Sequence, residues 1–222
     1  NGKIDLTGHP TPGADLLGYD LVDRYLRAAE QASDGWGVYH VTSFRFSAAA
    51  DFATLQNHMR VVDLSTGFPR GYYYQFIEAR SRYDCGNRLL IGPLQGSVYR
   101  AGDSYAVYLT TEVKDENGGD FARPSDLVAL LDSNAPADAD LAAEWPKYAA
   151  LRTYLANNAI DPATILNATV FTVGHPRDLV ERLHQQVAAA PAASASGWTL
   201  CDDGVASPCP DSSGPRACTP AD

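Results

Sequence analysis

The run 104–113, Ser-Tyr-Ala-Val-Tyr-Leu-Thr-Thr-Glu-Val, constrains this chain most. It is the clearest strand signal in the sequence, rich in the aromatic and β-branched residues that fit a pleated surface. A breaker stretch over 93–102 precedes it, and Asp115-Glu-Asn-Gly-Gly119 follows. Asn-Gly is the strongest short hairpin signal, so Asp115 to Gly119 is expected to turn the chain back.

Other runs share this strand character. Residues 38–47 alternate, placing Val41, Ser43 and Arg45 on one face and His40, Thr42, Phe44 and Phe46 on the other. Strands are also expected over 59–64, 72–79, 88–91 and 165–173, with a turn at Ser65-Thr-Gly67. Helices are expected over 15–32, with the stripe Leu17, Leu21, Tyr25 and Ala28, and as a short turn over 51–57. A helix over 125–131 opens at Ser125 as its cap. An Ala/Leu-rich helix covers 139–156, kinked or started by Pro146, and a last helix covers 176–187 with the stripe Leu179, Val180, Leu183 and Val187. Several strands at modest spacing with helices added predict a mainly β fold built as a β-sandwich. The parts are an extended segment and helix over 1–37, a sandwich over 38–187 with a helical insertion about 124–160, and an Ala/Pro linker with a Cys-rich tail over 188–222.

Charge narrows the partners. Asp and Glu number 27 against 17 Lys and Arg, a net charge of −10. Nucleic acid and anionic membrane surfaces both call for a basic face, so neither is expected. No apolar run approaches the ~20 residues that span a bilayer. No basic-then-apolar signal peptide opens the sequence, and Asn1-Gly2-Lys3 reads as an internal beginning, the upstream segment having been either removed or never part of this chain.

The four cysteines are Cys85, Cys201, Cys209 and Cys218. The last three crowd into a tail rich in Gly, Pro, Ser and Asp, without the tight Cys pairs or following His of a zinc site. Disulfides are the expected state of all four, with three connectivities open, and disulfides imply an extracytoplasmic, secreted or envelope setting.

A search for chemistry assigns no catalytic, cofactor or metal residue. The Gly-x-Ser-x-Gly elbow of α/β-hydrolases is missing, and Ser194-Ala-Ser196-Gly197 lies in the linker. His9, His40, His58, His175 and His184 do not pair at helical metal spacing, and His40 is expected to be packed or half-exposed. Asp115, Asn117 and Asp120 begin like a calcium loop, but the sixth and twelfth positions are Asp120 and Asp126 in place of Gly and Glu. Asp202, Asp203, Gly204 and Asp211 form a second weak calcium candidate. Tyr72, Tyr74 and Phe76 share one strand face and are read as core, leaving Tyr73 as the surface candidate. Asn167-Ala-Thr169 is a formal glycosylation sequon beside a buried-looking strand.

The stretch 89–111, with Ile91-Gly-Pro-Leu-Gln-Gly and Tyr105-Ala-Val-Tyr-Leu-Thr, resembles the bacterial Ig-like domain that precedes the catalytic domain of some secreted lipases and esterases. The resemblance continues through Lys114-Asp-Glu-Asn-Gly, Ser125-Asp-Leu, Tyr148-Ala-Ala-Leu-Arg and Ala168-Thr-Val-Phe-Thr-Val, and through the stretch 51–67. It implies an Ig-like β-sandwich with an N-terminal helix, an inserted helical segment and a C-terminal helix. It also implies a non-catalytic accessory or binding module whose partner is a downstream hydrolase domain or a surface protein. The motifs are turns and strands, so they bear on fold before function. Two alternatives remain open: a structural subunit of an extracellular assembly that associates through exposed strands, and a stand-alone hydrolase with an unrecognised site.

Overall fold

Asp20 sets the start of the first regular element in the computed structural model, which describes residues 4–9, 11–15, 17–81, 85–194, 206–211 and 214–217. Its Oδ1 accepts the Asp23 N–H at 3.1 Å and caps helix α1, Leu21–Ala32. Gly18 turns the chain just before with φ 70°, so the helix cannot begin as early as residue 15. Leu17 therefore lies outside the helix, and the expected stripe is displaced. Val22, Leu26 and Ala29 are the more sheltered positions, while Leu21 and Tyr25 face solvent.

Six elements follow up to the end of β5: β1 Thr42–Arg45, α2 Phe52–Asn57, β2 Met59–Asp63, β3 Tyr72–Ile77, β4 Arg88–Pro93 and β5 Ser104–Thr110. Then come α3 Ser125–Leu131, α4 Ala139–Glu144, a 3-10 turn Trp145–Tyr148, α5 Ala149–Asn157, β6 Ile165–Thr172, α6 Asp178–Ala189, β7 Ala206–Asp211 and β8 Gly214–Ala217. Pro146 sits in the 3-10 turn and separates α4 from α5, as a proline without an N–H must. Ser125 is not a cap: Pro124 holds that position without a side-chain bond, and the Ser125 hydroxyl turns to Asp126.

All strand pairs are antiparallel. The sheets run in the orders β1-β4-β3 and β2-β5-β6, with β7 and β8 paired separately. In β1 the alternation holds: Thr42 and Phe44 are buried, Ser43 and Arg45 exposed. In β3, Tyr72, Tyr74 and Phe76 pack on the core while Tyr73 faces out, as their spacing predicts. One core cluster joins Phe44, Leu89 and Ile91 to Met59, Val61, Tyr105, Val107, Leu109 and Phe171. It therefore lies between the two three-stranded sheets.

The expectation of a mainly β, Ig-like β-sandwich with helical additions is wrong. The described residues form an α/β mixture, in which helices accompany two small three-stranded antiparallel sheets and the β7-β8 pair. The physical reason lies in β5. Its residues Tyr105 through Leu109 are all buried, without the alternation of a strand that faces water on one side. Tyr105, Val107 and Leu109 enter the first cluster. Ala106 and Tyr108 enter a second one, with Val62, Leu127, Leu131, Leu151, Leu155 and Ala168. Helices α3 and α5 thus cover the other face of the β2-β5-β6 sheet. The segment around 124–160 packs as a layer on that sheet.

The chain divides into two units, Asn1–Asp178 and Leu179–Asp222. The second contains the body of α6 and the β7-β8 pair.

Candidate functional site

The side chains with chemical potential occupy three places in the first unit, and an apolar surface occupies the second.

His175 follows β6 and meets Asp34, which follows α1. The His175 N–H donates to Asp34 Oδ1 at 2.9 Å, and His175 Nδ1 lies 2.7 Å from Asp34 Oδ2. Both side chains are about half exposed. The hydrogen bond to Asp34 raises the imidazole pKa above its usual range, and the bonds from His175 hold the Asp34 carboxyl below its own. Two glycines permit the close approach. A Cβ on Gly35 would come within 2.6 Å of the Gly174 nitrogen, and one on Gly102 within 3.0 Å of His175 Nε2. Trp36 extends the contact, donating its N–H to Thr172 O and accepting from the Gly174 N–H, both at 2.9 Å. The pair clamps the α1–β1 connection to the end of β6.

The other histidines are dispersed. His40 is sandwiched between Trp36 and Phe171, each ring centroid 4.5 Å away, and burial pulls its pKa down to about 4. His58 Nδ1 lies 3.1 Å from Thr110 Oγ1. His184 lies on α6, and His175 precedes that helix.

Asp63 ends β2 fully buried. Its Oδ1 accepts the Ser65 and Thr66 N–H groups at 3.0 and 3.1 Å, which closes the Ser65-Thr-Gly67 turn. Arg100 approaches Oδ2 only to 3.8 Å. Arg100 also donates its backbone N–H to Tyr105 Oη, and burial raises the Tyr105 pKa. The expected turn at Asp115 forms in the same way: Asp115 Oδ1 accepts from Asn117 and Gly119, both at 2.8 Å, and Lys114 pairs with Asp120. Those carboxylates serve the turn. Among the described residues no group of three or more His, Cys, Asp or Glu is placed to hold a metal.

Of the cysteines, Cys85 is a free, exposed thiol. Cys209 lies on β7, and Cys201 and Cys218 lie outside the described residues, as do Asp202, Asp203 and Gly204. Asn167 sits half-buried on β6, its Oδ1 accepting the Ala168 N–H.

A third place, on α5, sets Arg152 at an open surface hollow lined also by Leu131, Ile160 and Pro162. Sequence reasoning assigned it no role.

An apolar stripe lies on the surface of α6. Leu179, Val180, Leu183 and Val187 recur at helical spacing and are 69%, 65%, 57% and 65% exposed. None of its residues is buried. Soluble proteins seldom leave such a stripe uncovered, and contiguous apolar patches mark interaction surfaces. No helix of the described residues is long and apolar enough to cross a membrane.

No family model matches the chain, and no curated protein matches it.

Proposed function

We propose that the chain is a non-catalytic accessory module of an extracytoplasmic protein, and that it docks onto a hydrolase domain encoded with it. One observation carries this reading: the four-residue apolar stripe of α6 faces solvent along its whole length. A 12-residue helix is marginal by itself in water, so a partner that covers the stripe also stabilises the helix. The polar face of α6 indicates what kind of partner. It carries Glu181, Arg182, His184, Gln185 and Gln186, a mixed set and not the Lys/Arg-rich face of a membrane-surface helix. A protein groove lined by apolar side chains fits that chemistry. The extracytoplasmic setting rests on the crowding of Cys201, Cys209 and Cys218 in the tail, and the hydrolase partner on the resemblance to segments that precede such domains.

The experiment is calorimetric. The chain is titrated with the separately purified remainder of the protein that its gene encodes. Binding with a negative heat-capacity change is expected, and Leu183→Glu should weaken it about tenfold or more. Binding that is indifferent to Leu183→Glu contradicts the reading, and so does a stop codon directly after Asp222. Dimerisation of the chain alone, abolished by Leu183→Glu, would assign the stripe to a second copy instead.

A further inference from the structure

Arg152 is fixed more firmly than a surface cation needs to be. Its Nη1 donates to Leu130 O at 2.6 Å and to Trp145 O at 3.0 Å. Its guanidinium lies over the Trp145 ring, 3.8 Å from the centroid. Trp145 is held in turn by its Nε1–H, which donates to Asp132 O at 3.1 Å. Although the chain has 27 acidic side chains, no carboxylate pairs with Arg152 among the described residues. The Nε and Nη2 N–H groups form the free edge of the guanidinium fork, the edge that binds carboxylates in a bidentate manner.

Arg152 lines an open surface hollow of about 450 Å³, a volume within the range of small-molecule sites. Leu131, Ala156, Ile160 and Pro162 give it aliphatic walls, and Ser133 and Thr153 add hydroxyls. Arg123 braces one side, donating to Pro162 O at 2.8 Å and to Ile165 O at 2.7 Å. The chain also accepts strain here. Ala159 takes φ 52°, a left-handed backbone that a residue with a Cβ seldom adopts. The turn it makes lets the Ile160 N–H reach Leu155 O at 2.9 Å and brings Ile160 to the wall of the hollow.

We infer that this hollow binds a small monocarboxylate with an aliphatic body. The carboxylate sits on the Nε/Nη2 edge of Arg152, and the tail lies against Leu131, Ala156, Ile160 and Pro162. With Arg123 turned to the Pro162 and Ile165 carbonyls, Arg152 is the one guanidinium lining the hollow among the described residues, and in a chain of net charge −10 it suits one negative charge better than a phosphate dianion. An aliphatic tail fits because Arg152 already covers the Trp145 ring, the aromatic face beside the site.

The test uses octanoate as the probe, titrated into the whole chain by calorimetry with NMR shifts as a check. Saturable octanoate binding is expected, with octanol and inorganic phosphate each weaker by about tenfold or more. Arg152→Met should weaken octanoate by a similar factor. Because Arg152 also holds two backbone carbonyls, a second variant guards against misfolding. Ala156→Trp, at an exposed position of α5 that lines the hollow, blocks it while leaving the Arg152 side chain present, and it should weaken octanoate equally. Equal binding of octanoate and octanol, equal binding of phosphate, unchanged binding by Ala156→Trp, or no saturation with octanoate would each overturn the assignment.

Discussion

His40 supplies the sharpest stability prediction. Its ring is wedged between Trp36 and Phe171, and burial lowers its pKa from the ordinary 6.5 to about 4. That gap corresponds to about 3 kcal/mol at 1.36 kcal/mol per tenfold change in proton affinity. The folded protein keeps His40 neutral, whereas the unfolded chain protonates it near 6.5. The contribution is therefore fully present above the unfolded value and is lost as pH falls through the folded one. At about pH 4.5 the loss amounts to about 2.5 kcal/mol. His40→Phe keeps a ring in the slot and removes the proton site. Urea unfolding of both proteins at about pH 7.5 and pH 4.5 isolates the effect, since all other titrating groups are shared. The variant should gain about 2.5 kcal/mol on the wild type between the two conditions. A difference that stays flat with pH would refute the reasoning.

Three further outcomes follow from the packing. Leu151→Ala empties a fully buried site between α5 and the β2-β5-β6 sheet and should cost about 2–5 kcal/mol in urea unfolding, whereas Val128→Ala on the exposed face of α3 should change stability by less than about 0.5 kcal/mol. In an NMR titration His175 should retain its proton above the ordinary 6.5, and Asp34→Asn should return it toward that value. The His175 share of stability is then present below 6.5 and lost as pH rises through the raised value, opposite in sign to that of His40. Gly35→Ala forces a Cβ to within 2.6 Å of the Gly174 backbone and should destabilise the chain by about 1–3 kcal/mol, read as a lowered urea midpoint.

Local elements were legible because local signals decide them. The helix over 125–131 matches α3, and the run 51–57 matches α2 with its Asp51 cap, whose Oδ1 accepts the Ala53 N–H at 2.9 Å. The alternation of 38–47 set Phe44 and Arg45 on opposite faces, and the structure buries Phe44 and exposes Arg45. Tertiary layering was not legible, because strand propensity says nothing about how many faces a sheet buries. The signal was present in Tyr105-Ala-Val-Tyr-Leu109, which has no polar residue on either face and so requires cover on both. The Leu pairs Leu127/Leu131 and Leu151/Leu155 supplied that cover. The N-terminal stripe was misplaced because Leu17 lies before the helix, beyond the turn at Gly18.

The functional features divide in the same way. The α6 stripe was visible from periodicity, but its exposure was not, since a sequence cannot tell a core-facing stripe from an uncovered one. Arg152 was passed over as one charge on an Ala/Leu-rich helix. Its spacing of seven from Trp145, two helical turns on one face, was the signal that could have drawn attention to it. The Asp34–His175 clamp joins residues 141 apart, and no short-range pattern announces such a pair.

Hydrogen exchange along α6 tests the central claim most directly. In the 222-residue chain alone, the amides of Asp178–Ala189 should exchange rapidly, because an uncovered short helix opens at little cost. In the entire protein encoded by its gene, the same amides should gain protection of about a hundredfold or more, and Leu183→Glu should remove that gain. Equal exchange in both proteins would contradict docking through this helix.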